Sequence, residues 1–131
     1  MKSLLIDVYR REVDIVDCSI YPDAYKLLNC STYDIPFRAI GFENRVFGIV
    51  VDDEGLLKNN QIVSAVSPHF EEIFVGNLLI TRFDEEGNQI DLSDDDINYL
   101  NRYIVTGAMV NDGIVDSYPI LTGMSYDCYY K

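Results

Sequence analysis

The side chains with the most metal chemistry to offer are Cys18, Cys30 and Cys128 together with His69, which are all the cysteines and the only histidine in 131 residues. Three thiolates and one imidazole complete the tetrahedral set of a structural zinc, and a shared site would pin the C-terminal end to the N-terminal half. No CxxC or HxxxC knuckle is present, so a second reading stands beside zinc. In that reading each cysteine is a small buried hydrophobe, Cys30 closes the apolar stripe of Ala24, Leu27 and Leu28, and His69 is an exposed loop residue after Pro68. Asp52, Asp53 and Glu54 offer oxygen ligands to a hard cation such as magnesium, or simply solvate a turn.

The second constellation is acidic. Seven acids fall between positions 84 and 96 (Asp84, Glu85, Glu86, Asp91, Asp94, Asp95 and Asp96), and from Phe83 to Tyr130 there are ten acids against one base, Arg102. That segment carries most of the formal net charge of −12. Such a surface repels nucleic acid and attracts basic grooves, which points to a partner that normally holds phosphate backbone. Duplex DNA presents one charge per about 1.7 Å of axis, a density these acids could imitate. They also have local uses: Asp94 to Asp96 favour a helix N-terminus, and Asp84 to Glu86 favour a turn.

Catalysis finds little support. Ser67 lies near His69 without a nucleophile elbow, neither a phosphate-cradling loop nor a dinucleotide-binding glycine pattern occurs, and Asp52 and Asp53 alternate faces if the strand continues. Ten tyrosines and no tryptophan, with Tyr126, Tyr129 and Tyr130 near the end, suit either protein recognition or a late packed strand. No apolar run reaches the roughly 18 residues of a membrane span, and the odd cysteine count without a signal peptide implies reduced thiols in the cytoplasm.

The elements that must position these groups read as one domain, since 131 residues with 48% hydrophobic content suffice for a packed core. Ser3 to Tyr9 reads as a strand with Leu4, Ile6 and Val8 alternating against Ser3, Leu5 and Asp7, and Val13, Ile15 and Val16 form a second apolar set. Tyr21 to Cys30 reads as a short helix with Pro22 in its first turn. Ile35–Phe42 and Arg45–Val51 form a hairpin around Glu43 and Asn44, and Asp52 to Gly55 is a turn. Asn77–Phe83, the turn Asp84–Asn88 and the return Gln89–Leu92 make a second hairpin. Ser93 then opens a helix with Asp96 three residues on; Ile97, Leu100 and Ile104 are its stripe and Thr106 and Gly107 its end. Beyond it, short apolar groups alternate with turn signals, chiefly Asn111, Asp112 and Gly113. The expected fold is α+β, a mainly antiparallel sheet with two short helices.

VFGIVVDDEGLLKNN (residues 46 to 60) and VGNLLITRFDEEGNQIDLSDDDINYL (residues 75 to 100) resemble a phage and plasmid domain family of unknown function. In that family a strand enters an acidic turn with Gly, then Leu and Asn, and later a Gly-containing strand leads to an acidic turn and an acidic helix start. The tail after Val105 has no counterpart in it. The resemblance implies a mobile-element protein, a group that includes inhibitors of bacterial defence. Size, acidity and cysteine count are similar to those of an anti-CRISPR protein that binds zinc and blocks the RNA-guided nuclease of type II systems. That implies a non-catalytic inhibitor in the bacterial host's cytoplasm, contacting its target through the seven acids; the alternative is a mobile-element binding module of other purpose. RNA-guided effectors hold their duplexes in positively charged channels that an acidic face can enter; an inhibitor could equally lock a recognition lobe away from its DNA-loading position.

Overall fold

The computed structural model describes residues 1–57, 62–68 and 71–125. The structure is α+β: among the described residues twelve strands form two sheets, accompanied by two α-helices and one 3-10 turn. The main sheet is antiparallel throughout. Its path runs β12 (Met124–Ser125), β4 (Phe37–Ile40), β5 (Arg45–Asp52), β8 (Leu78–Phe83), β1 (Lys2–Asp7) and β2 (Glu12–Asp17). Two short strands join it off that path, β3 (Tyr33–Asp34) on β5 and β9 (Gln89–Ile90) on β8.

The central strands are buried on both faces, which explains why Leu4, Leu5 and Ile6 form an unbroken apolar run. Leu4, Ile6 and Val8, with Phe47, Ile49, Leu78 and Ile80, point to one side, where helix α2 (Asp94–Asn101) and the second sheet pack through Ile97, Leu100, Ala65 and Leu121. Leu5, Val50 and Leu79 point to the other, where helix α1 (Ile20–Leu28) lays down Ile20, Ala24 and Leu28. The period of two in β1 thus sorts its side chains between two separate cores.

Both helices are anchored by polar side chains from the main sheet or its margins. Ser19 is the N-cap of α1 but makes no side-chain cap bond. Gln89 takes over: its Oε1 accepts from the Ile20 N–H at 3.0 Å and its Nε2 donates to the Cys18 carbonyl at 2.9 Å. At the other end of α1, buried Asn77 accepts from the Val8 N–H at 2.9 Å and donates to the Leu27 carbonyl at 3.2 Å. Asn29 then leaves the helix in the left-handed conformation.

The second sheet has the order β10 (Ile104–Asn111), β11 (Ile114–Leu121), β6 (Val63–Val66) and β7 (Ile73–Val75), with β11 and β6 parallel. Arg11, in the β1–β2 turn, pairs with Asp116 at 3.1 Å and lies 5.0 Å over the Tyr118 ring, tying β11 to the main sheet. Among the described residues no helix is long and apolar enough to cross a membrane.

Two expected boundaries are corrected. β4 ends at Ile40, so its hairpin with β5 turns over residues 41–44 rather than over Glu43 and Asn44 alone. α2 ends at Asn101, not at Thr106 and Gly107, and Ile104 begins a strand. Ile104 still packs on the core with Ile97 and Leu100, so a helical spacing was satisfied by a residue of the following strand. Val105 and Thr106 are β-branched, and pairing with β11 over eight registered positions outweighs continuation of the helix. The Asp112–Gly113 turn is confirmed, both residues adopting positive φ (52° and 80°).

Candidate functional site

The acidic segment is built by three local devices. Asp84 closes its own turn, its Oδ1 accepting from the N–H groups of Glu86 at 2.9 Å and Asn88 at 2.8 Å. The hydrogen bond from the Asn88 backbone, with support from Glu86 and Gly87, holds its carboxyl below the usual carboxylate range. Glu85 and Glu86 project from this turn, exposed and without an ion-pair partner among the described residues.

Lys2 then gathers two of the predicted acids. Its backbone N–H donates to Asp91 and its Nζ to Asp94, each at 2.6 Å. The Lys2 ammonium holds the Asp94 carboxyl below its ordinary value. Asp94 is 89% exposed, so this pair fixes geometry more than it stabilises.

Asp96 belongs to the interior. Ser93 and Asp96 form the reciprocal cap expected from their spacing, Ser93 Oγ accepting from Asp96 N–H at 3.0 Å and Asp96 Oδ2 from Ser93 N–H at 3.2 Å. The same carboxylate, 2% exposed, accepts from Arg82 at 2.7 Å and Arg45 at 3.3 Å. Burial pushes the Asp96 carboxyl up, but Arg82 and the Ser93 bonds outweigh it and leave it below the ordinary range. Arg45 also pairs with Asp95 at 2.9 Å and Glu43 at 3.3 Å, and its guanidinium lies 4.2 Å over the Tyr99 ring. Asp96 is therefore removed from the contact face expected of it, because its oxygens are committed to the helix cap and two arginines.

The structure thus brings Asp91 and Asp94 together on Lys2, and Asp95 and Asp96 together on Arg45. Lys2, Arg45 and Arg82 carry no functional signal in the sequence, and Glu43 reads there only as a hairpin turn residue. Arg45 and Asp96 are 51 positions apart, on β5 and α2, so no local signal marks them. With Glu43 included, eight carboxylates face three cations in this region, an excess of five negative charges.

Of the four expected zinc ligands, Cys18 and Cys30 lie on the α1 side of the main sheet, in or against one apolar cluster. Neither is in a disulfide among the described residues. Cys18 is fully buried and its Sγ donates to the Ser19 carbonyl at 3.4 Å. Burial, with Asp23 and Asp17 nearby, pushes that thiol's pKa up, which favours the neutral form over the thiolate a metal needs. His69 and Cys128 lie outside the described residues, as do Tyr126, Tyr129 and Tyr130. Among the described residues no group of three or more His, Cys, Asp or Glu is arranged to hold a metal ion.

The acidic turn after β5 builds itself as the segment after β8 does: Asp52 Oδ1 accepts from the Glu54 N–H at 2.9 Å. Asp52 and Asp53 border a cavity of about 480 Å³ whose wall carries a nearly buried, bidentate Arg38–Glu72 pair at 2.8 and 2.7 Å. Ser67 is committed to the same wall, its Oγ accepting from the Glu72 N–H at 2.7 Å.

No curated protein and no solved structure matches the chain. A family match covers residues 1–105, from the first strand through both helices to the start of β10, and includes residues 46–60 and 75–100. The chain belongs to the family described as Domain of unknown function (DUF3846).

Proposed function

We propose that the protein acts by binding, as a non-catalytic inhibitor from a phage or mobile element that engages a type II CRISPR nuclease and hinders loading of its target DNA. The observation that carries this reading is the fixed excess of negative charge around the β8–β9 turn and the start of α2. A basic channel that grips phosphates gains most from carboxylates already held in place, because little side-chain entropy is lost on contact. Asp84, Asp91, Asp94 and Asp95 meet that condition through their hydrogen bonds and ion pairs, and Glu85 and Glu86 supply uncompensated charge.

The test is cleavage of a DNA target by purified type II effectors, with the protein added before or after DNA loading. Inhibition only on early addition is expected, and Glu85→Lys with Glu86→Lys should weaken it and reduce its salt sensitivity. Absence of inhibition by several effectors at stoichiometric excess would overturn the assignment, and undiminished inhibition by a folded double variant would exclude the acidic turn. A second reading, a mobile-element binding module outside counter-defence, is favoured by an apolar groove of about 640 Å³ beside β10 that the acidic region does not use.

Zinc enters the proposal as a staple at Cys18, Cys30, His69 and Cys128, supported by the shared location of the first two. Metal analysis of protein purified under reducing, chelator-free conditions should find about one zinc per chain by the four-ligand rule; none would retire the site.

A further inference from the structure

Sheet edges that present unpaired N–H and C=O groups invite another strand, and proteins ordinarily blunt them with charge, proline or brevity. Among the described residues the other edges are blunted: β2 carries Glu12, Asp14 and Asp17, β12 has two residues and β7 three, and β11, registered with β6 only at Leu121, carries Asp116 and Pro119 along the rest of its outer side. β10 is the exception, with eight residues, no charge and no proline, and only β11 beside it among the described residues.

The ladder shows which backbone groups this edge offers. Thr122 donates to the Tyr103 carbonyl at 2.7 Å, and hydrogen-bonded pairs alternate along an antiparallel ladder. Val105/Ile120 and Gly107/Tyr118 therefore exchange bonds, while Thr106/Pro119, Ala108/Ser117 and Val110/Val115 do not. Pro119 has no N–H to give, and it falls on a pair that needs none. The N–H and C=O groups of Thr106, Ala108 and Val110 consequently point away from β11 to the open edge. A 640 Å³ groove runs across the sheet from Val105 of this strand over Ile120 of β11 to Val63, Val66 and Ile73 of β6 and β7, with Glu71 exposed at its margin.

Charge selects the occupant. Two copies joined edge to edge would set one net charge of −12 against another. Around the edge, Asp116 is paired with Arg11, which among the described residues leaves Glu71 and Asp112 against Arg102. We propose that β10 accepts an added strand from a cationic partner protein, in which apolar residues on the groove side, packed beside Val105, alternate with Lys or Arg. This docking mode needs no contact with the acidic β8–β9 turn and does not depend on the partner being a nuclease.

The test uses the full chain and a labelled peptide of about ten residues alternating Val and Lys, with a Val and Glu counterpart, read by fluorescence anisotropy. Saturable binding of the Lys peptide is expected, at least about tenfold tighter than the Glu peptide. Ala108→Pro removes an outward N–H while sparing the β10–β11 ladder, and should weaken binding about tenfold or more, the worth of one or two backbone hydrogen bonds. N-methylation of the Lys peptide on its pairing edge should do the same, and this arm holds even if the proline variant does not fold. Several results would overturn the proposal: no saturable binding, equal binding of the two peptides, or binding indifferent to N-methylation, which would mark general attraction to an acidic protein. A dimer in sedimentation that Ala108→Pro dissolves would also overturn it, by making a second copy the occupant.

Discussion

Asp96→Asn removes one negative charge from the interior while preserving shape and the oxygen that caps Ser93. The bond from Arg82 at 2.7 Å becomes a neutral one, and the weaker approach of Arg45 at 3.3 Å is lost while Arg45 keeps Asp95 and Glu43. Hydrogen bonds to charged groups are worth about 1.5–3 kcal/mol. Removing one partner of a fully buried pair costs about 3–5 kcal/mol, but Arg82 and Arg45 are 46% and 26% exposed and can rehydrate. The expected loss is therefore about 2 kcal/mol, and Asp96→Ala, which also removes the cap, should lose about 1 kcal/mol more. For a domain of this size, 2 kcal/mol lowers Tm by roughly 6–8 °C. Urea unfolding followed by circular dichroism and tyrosine fluorescence would measure it, with an unchanged m confirming that the folded state is intact. Because the folded Asp96 carboxyl is held below its ordinary value, its contribution is fully present above the unfolded pKa of about 3.9 and is lost as pH falls through the folded value. The gap between wild type and Asp96→Asn should be flat near neutrality and close in acid. A variant within about 0.5 kcal/mol of wild type, or a gap that persists unchanged at low pH, would refute the role given to this carboxylate.

Gly41→Ala should destabilise by roughly 2–5 kcal/mol, because Gly41 has φ +76° and an added Cβ would lie 2.3 Å from the Tyr99 hydroxyl and 2.4 Å from the Tyr103 ring; a melting temperature equal to wild type would contradict this. Asn77→Ala should cost about 2–3 kcal/mol by leaving the Val8 N–H and Leu27 carbonyl unpaired, with amide exchange accelerated in β1 and at the end of α1. Lys2→Ala, which breaks the exposed pair with Asp94, should change stability by less than about 1 kcal/mol in urea, and a larger loss would show that exposure understates this contact.

What the sequence revealed follows from how local each determinant is. The β8–β9 hairpin and the Ser93 cap were legible because turn and cap are written in a few adjacent residues, and both appear where spacing places them. The end of α2 was not, since Ile97, Leu100 and Ile104 satisfy a helical stripe although the last belongs to β10. A stripe reports burial; here the pairing of β10 with β11 decided the backbone. Likewise Gln89, rather than Ser19, supplies the bonds at the start of α1 from 69 positions away, which no capping rule applied to the helix itself can find.

The same distinction separates the two roles of the acidic segment. Its composition suggested one continuous face, yet Asp96 stabilises α2 from within, Asp84 shapes its own turn, and Asp91, Asp94 and Asp95 are held by Lys2 and Arg45. Long-range attraction depends on the net excess, which pairing reduces and salt screens over about 8–10 Å, whereas local stability depends on the individual pairs. Substitutions must therefore be chosen by role: reversing Asp96 would disturb folding and binding together, while Glu85 and Glu86 can be reversed with only the field changed. A loss of partner binding in the Glu85 and Glu86 variant, with urea stability unchanged, would assign recognition to the field itself.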